Sequence, residues 1–264
     1  MSRPVTTFGA RPWIQQHWDA RAAGNFMLGG SGAGLLVAAP LAGGSPLLQA
    51  LGLAMIAAGL AAVWLEIGRK LRAAHVFFNP RTSWMSRESL AALVVFGLGI
   101  TSLGVRGTIL DVPLALAGLL FLFCQARILF ASKGIPAWRA PQVVPLVMLT
   151  GLVEGAGIAL LFGDAAALVG LFGLALLARA LAWSRYRMAL RQPAAAAALE
   201  SSGKLLMQLG TLLPVALLLL SSLAPESAWI AGLAAAITGW RLKFALVTRA
   251  AYNQGFSLPH LPIR

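Results

Sequence analysis

Apolar residues run along this chain in blocks too long for the core of a soluble domain. Between Arg21 and Glu66 no charged residue occurs at all. A hydrocarbon layer about 30 Å thick takes roughly 20 apolar residues per helix. That stretch therefore holds two spans, broken at Pro40-Leu41-Ala42-Gly43-Gly44-Ser45-Pro46. Period-two alternation is absent, and lipid admits only helices or closed barrels. The pattern predicts an all-α polytopic integral membrane protein. Its eight transmembrane helices form four hairpins, at 22–39, 47–65, 89–103, 110–130, 143–162, 165–183, 205–223 and 228–247. Segment 1–21 is expected to lie along the cytoplasmic interface, where Trp13 and Trp18 suit the headgroup region. Residues 22–247 form the bundle and 248–264 a cytoplasmic tail. No cleavable leader is expected, because Pro4, Arg11, Pro12 and Asp19 stand where a leader places its apolar stretch.

Composition agrees. Hydrophobic residues make up 59% of the chain and charged residues 11%, against about 25% charged in a soluble domain. The formal net charge of +13 would otherwise suggest nucleic acid, but its distribution argues for a membrane. All but Arg106 of the 21 basic residues fall on one side of the predicted topology. That side comprises the N-terminal segment, the connections after helices two, four and six, the helix ends beside them, and the C-terminal tail. Arg106 shares the other side with Asp111, Asp164 and Glu226. Basic connections stay in the cytoplasm, so the chain is expected in a bacterial inner membrane with both termini inside and no nucleic-acid partner. A weak repeat fits the hairpins: Ala-Arg-x-Leu-x-x-Ser-basic occurs at 126–133 and 178–185, at corresponding inner helix ends.

Most candidate motifs have a plain reading. Gly29-Gly30-Ser31-Gly32-Ala33-Gly34 looks like a dinucleotide loop, but that loop needs a preceding strand. Within an apolar span the small residues instead allow a neighbouring helix to approach. His17, His75 and His260 all lie outside the spans, so no haem ligand projects into the bundle. No ligand-spaced cluster predicts a metal site, and Cys124 alone holds no iron–sulfur cluster. Glu154, mid-span in 143–162, has two readings. It is a hydrogen-bonded packing residue, with Gln208 as a candidate partner, or an intramembrane proton site.

The densest polar group follows helix two. Glu66 and Glu88 close two consecutive helices, with Arg72, Arg81 and Trp84 between them. Carboxylates at the membrane edge exchange protons, and arginine bonds a carbonyl oxygen. Those are the demands of a quinone pocket. The alternative is a basic interfacial loop whose carboxylates pair with arginines.

The segments Glu66-Ile67-Gly68-Arg69-Lys70-Leu71-Arg72-Ala73 and Ser83-Trp84-Met85-Ser86-Arg87-Glu88 resemble the DmsC/NrfD-like membrane-anchor subunits of molybdopterin oxidoreductases. In that family the corresponding stretches are associated with quinone binding. Gly68, Arg72, Ser86 and Glu88 match its pattern, whereas Glu66 stands in place of a histidine and Lys70 in place of a proline. Segments 12–26 and 243–256 are similar to the membrane subunit of phenylacetyl-CoA:acceptor oxidoreductases.

The resemblance implies a cytoplasm-facing complex of anaerobic aromatic degradation. A molybdopterin subunit would oxidise phenylacetyl-CoA, and an iron–sulfur subunit with [4Fe-4S] clusters would pass electrons to quinone in this chain. Glu66, Arg72, Trp84 and Glu88 would form the quinone pocket, bordered by His17 and Asn25. The chain itself would hold no haem, iron–sulfur cluster or metal. Three alternatives stand beside this: the anchor of a cytoplasm-facing sulfite-oxidising complex, a purely structural anchor, and a small-molecule or proton transporter.

Overall fold

The computed structural model describes residues 12–66, 70–105, 109–221, 223–224 and 226–255. Among them the chain is helical throughout its regular structure, with one isolated β-bridge between Ile14 and Tyr252. The protein is an all-α polytopic membrane protein. Seven helices are long and apolar enough to cross a bilayer: α1 (Ala20–Ala42), α2 (Pro46–Glu66), α3 (Trp84–Gly104), α4 (Asp111–Ala131), α6 (Ala166–Ala189), α7 (Pro193–Leu220) and α8 (Glu226–Arg249). Between α4 and α6 lies α5 (Val143–Ala159), apolar but only 17 residues long. At 1.5 Å per residue it spans about 25 Å.

Each of the eight expected segments thus corresponds to a helix, but the ends differ. The largest difference is α7, expected from 205 and beginning at Pro193. Glu200 and Lys204 form an i,i+4 ion pair of 2.9 Å on an exposed face, which supports the helix before its apolar part. The connection after α2 contains a 3₁₀ helix, Lys70–Phe78. At the start of α1, Asp19 caps the helix by accepting from the Arg21 amide at 2.7 Å. The Arg21 guanidinium beside it holds the Asp19 carboxyl below its usual range.

The two termini meet. Gln15 N–H donates to the Ala251 carbonyl (2.9 Å), and Asn253 N–H donates to the Trp13 carbonyl (3.0 Å). The N-terminal segment is therefore clasped to the residues following α8, at what is called here the terminal end of the bundle.

Helix α5 sits at the centre, against α1, α4, α6 and α8. Glycines make this possible. A methyl group built at Gly34 would overlap the Gly151 carbonyl, and one at Gly155 would overlap the Gly34 backbone. On another side Gly157 meets Gly232 of α8 in the same way. Without a hydrophobic driving force between helices in lipid, such close approach supplies the packing energy. The glycine run of α1 is therefore a helix-packing surface.

We predict that Gly155→Leu yields no monodisperse protein in detergent, because backbone rather than a flexible side chain occupies the space. Gly170→Ala, where nothing lies within 4 Å, should melt within about 1 kcal/mol of the parent. Equal behaviour of the two variants in gel filtration and thermal melting would overturn this packing account.

Candidate functional site

Three π-turns interrupt the long helices, at Asn25–Gly29 in α1, Gln208–Leu212 in α7 and Ala245–Arg249 in α8. A π-turn widens the helix and releases a carbonyl from the regular ladder. Each of these segments offers a carbonyl to a buried side chain. Asn25 accepts from Gln125 Nε2 (2.9 Å), Leu246 accepts from Trp138 Nε1 (2.9 Å), and Gly210 accepts from Arg179 Nη2.

At the terminal end a cleft of about 860 Å³ opens between α1, α2, α3 and the 3₁₀ helix. Its walls are mostly apolar, with Leu60, Val63, Leu93 and Phe96 toward α2 and α3 and Phe77 from the 3₁₀ helix. Its polar residues include Asn25, Glu66 and Glu88. Glu88 is buried, and Asn25 Nδ2 donates to its Oε1 at 3.3 Å. The Gln125 amide faces the same carboxylate. Glu66 is half-buried, at the end of α2.

Of the residues expected in a pocket, Glu66, Glu88 and Asn25 come together in this cleft. Two do not. Trp84 turns toward α4, its ring edge-on to Phe123 at 5.6 Å, with Arg87 and Arg127 against it. It lies one turn before Glu88 on the same helix, but its ring is taken up by these contacts and does not line the cleft. His17 is exposed, while its neighbour Trp18 lines the cleft. The side chain of Arg72 lies outside the described residues.

Deeper in the bundle lies a second polar group. Glu154 of α5 is fully buried and meets Lys243 Nζ of α8 at 2.6 Å. Ser31 Oγ of α1 lies 2.7 Å from Glu154 Oε2 and accepts from Trp240 Nε1 at 2.7 Å. Arg179 of α6, also fully buried, donates to the carbonyls of Ala235 (3.0 Å) and Gly210. Gln208, the partner considered for Glu154, is exposed instead. Arg179 and Lys243, assigned by sequence to a basic surface, are interior residues. Their positions near the helix ends concealed this, because α6 and α8 extend beyond the expected boundaries.

The two groups approach each other at Gly30. A methyl built there would lie 2.5 Å from Lys243 Nζ and 3.0 Å from Gln125 Oε1. The absence of a side chain at position 30 leaves room for both. Among the described residues Gln125 Oε1, Asn25 Oδ1 and Glu154 Oε1 are buried acceptors without a donor. Gln125 was not singled out from sequence, although an amide in the apolar run of α4 was the available signal.

No group of three or more metal-ligating side chains occurs among the described residues. No family model matches the sequence, and no curated protein matches it. The reading of the site rests on its own residues.

Breaking a buried ion pair from one side strands a charge and is destabilising by about 3–5 kcal/mol. We therefore predict that Lys243→Met lowers stability by that order. The double variant Glu154→Gln/Lys243→Met should recover most of the loss. Thermal unfolding in one detergent compares the three proteins; additive losses in the double variant would show that the two side chains act separately.

Proposed function

We propose that this chain is the membrane-anchor and quinone-reducing subunit of a molybdopterin/iron–sulfur oxidoreductase complex. Phenylacetyl-CoA is the proposed substrate, oxidised on a partner subunit, with a sulfite-oxidising complex as the alternative within the same class. The observation that carries the reading is the cleft at the terminal end. It combines apolar walls of ligand-pocket size with a buried carboxyl group held by an amide. A quinone has both characters, an apolar tail and a ring whose oxygens take up protons on reduction.

In this reading the tail lies along Leu60, Val63, Leu93 and Phe96 and the ring reaches Asn25 and Glu88. The two electrons would be supplied by [4Fe-4S] clusters on a partner subunit. Glu88 donates a proton to a reduced ring oxygen, and Glu66, nearer the surface, resupplies protons. Asn25 orients the Glu88 carboxyl and has an amide oxygen free to accept from a hydroxyl of the reduced ring. The proposed membrane is the bacterial inner membrane with both termini in the cytoplasm, which puts the cleft on the side where a CoA ester is available.

A small-molecule or proton transporter is the second reading, favoured by the buried Glu154, Lys243 and Arg179. The two readings separate in the native complex. Isolated from native membranes, an anchor should carry molybdenum and iron with it, and a transporter neither.

For the anchor, Glu88→Gln should slow quinone reduction by about 10²-fold or more, the usual scale for a lost proton donor. Substrate oxidation with a soluble dye should be unchanged. Glu154→Gln should retain the parent rate if assembled; if it abolishes quinone reduction and Glu88→Gln is silent, the site lies in the second half of the bundle.

Orientation is tested separately. Reporter fusions at Asp164 and Glu226 should face outward, and fusions after Arg191 and Arg264 inward. The opposite result at two or more positions would place the cleft on the other side of the membrane.

A further inference from the structure

We propose that Arg87 and Arg127 bind the phosphate of an anionic phospholipid at the terminal-end interface between α3 and α4. The two guanidinium groups lie 4.1 Å and 4.6 Å from the centre of the same indole ring, that of Trp84. Arg127 also lies near the rings of Phe123 and Phe130, at 5.9 Å and 5.0 Å. Aromatic faces fix the positions of the two cations.

Their hydrogen-bonding states differ. Arg87 Nε donates to the Pro80 carbonyl at 2.7 Å and its Nη2 to the Arg81 carbonyl at 2.8 Å. These bonds anchor its guanidinium and leave the remaining nitrogen available. Arg127 donates to no acceptor among the described residues, and its Nε is buried without a partner. A guanidinium carries five donors and cannot become neutral. Two such cations gathered on one indole ring, both with donors left over, call for an anion. Neither arginine has a carboxylate partner among the described residues.

The surface below them identifies the anion's source. On α4 the stripe Val112, Leu116, Leu120, Phe123 and Arg127 follows the three- and four-residue spacing of one helix face. Val112, Leu116 and Leu120 are exposed. On α3 the equivalent stripe runs from Arg87 through the exposed Leu90 and Val94. Two adjacent lipid-facing stripes thus end in the two arginines at one level of the bundle. An acyl chain covers the stripes and its phosphate reaches the guanidiniums, a pairing suited to a two-donor fork. Free phosphate shares the headgroup chemistry but makes no use of the stripes. Such basic pockets between helices are where anionic headgroups bind. This inference does not depend on the quinone reading.

The test uses the full chain in nanodiscs made with phosphatidylglycerol and phosphatidylcholine of matched acyl chains. Retained lipid is counted by native mass spectrometry. The parent should retain phosphatidylglycerol in preference to phosphatidylcholine. In Arg87→Gln/Arg127→Gln that preference should fall about tenfold or more, the scale of one lost charge-assisted bond. Arg185→Gln, a basic residue at the end of α6, should keep it. If the double variant is not monodisperse, Arg127→Lys supplies the comparison. It keeps the charge but loses the fork, and should show a smaller drop in the same direction. Absence of any preference in the parent, or an equal loss in Arg185→Gln, overturns the site. Displacement of the lipid by inorganic phosphate alone assigns the arginines to the free ion. Loss of a copurifying acidic protein with lipid retention unchanged assigns them to a protein carboxylate; either result refutes the lipid.

Discussion

At Gly34 and Gly155 the backbones of α1 and α5 touch, with no room for a methyl group on either side. In lipid two helices gain little from burying apolar surface, so close backbone contact must supply much of the association. The contact also fixes what lies near it. Ser31 is one turn before Gly34, and Glu154 directly precedes Gly155. The approach that joins the helices thus brings the Ser31 hydroxyl to 2.7 Å from the Glu154 carboxylate. The Gly157–Gly232 contact does the same between α5 and α8, the helix that carries Lys243. A charged pair in the middle of an apolar bundle is tolerable because glycines allow its partners to come near enough to meet it.

The same economy governs the backbone. Away from water, each carbonyl released from a helix must find a donor, or the loss amounts to several kcal/mol. The three π-turns release carbonyls, and Gln125, Trp138 and Arg179 provide the donors. These bonds run between α4 and α1, between the segment preceding α5 and α8, and between α6 and α7. A local irregularity in each case becomes a cross-link between segments. The π-turn in α1 has a further consequence, because Asn25 at its start lines the cleft with its side chain while its carbonyl holds Gln125.

Much of this was legible in the sequence. Each of the eight apolar blocks coincides with a helix, seven of them long enough to span, since apolar length is the main determinant of a span. The cleft was partly legible too. Glu66, Glu88 and Asn25 are polar residues at helix ends that share one end of the bundle, and alternating topology brings them to the same side. What was not legible depends on rotation about helix axes. Trp84 and Glu88 are one turn apart on the same helix, but the Trp84 ring is held against Phe123 and two arginines rather than in the cleft, which spacing alone does not reveal. Arg179 and Lys243 appear as interface residues because each sits near other basic positions. Only the packing of α6 and α8 against α5 shows them to be interior. The repeat that pairs Arg127 with Arg179 does not carry a shared environment: Arg127 is half-buried against Trp84, whereas Arg179 is fully buried.

The two buried glutamates differ in a way that bears on which of them can exchange protons with a ligand. Glu154 is held by an ammonium group at 2.6 Å, with a guanidinium in the same interior. A proton gained at Glu154 alone would take the anionic partner away from Lys243. Glu88 is held by amides. An amide carries both donors and an acceptor, so it can bond a carboxylate through its N–H or a carboxylic acid through its oxygen. Asn25 Oδ1 and Gln125 Oε1 are the acceptors that the second arrangement requires, and neither has another donor among the described residues. A proton can therefore be gained or lost at Glu88 by a change of hydrogen-bonding partner, without leaving an unpaired charge behind. Glu88 also borders a cleft of about 860 Å³, whereas Glu154 is enclosed by α1, α5 and α8. Proton exchange with a ligand needs both an adaptable environment and access, and of the two buried glutamates Glu88 alone has both.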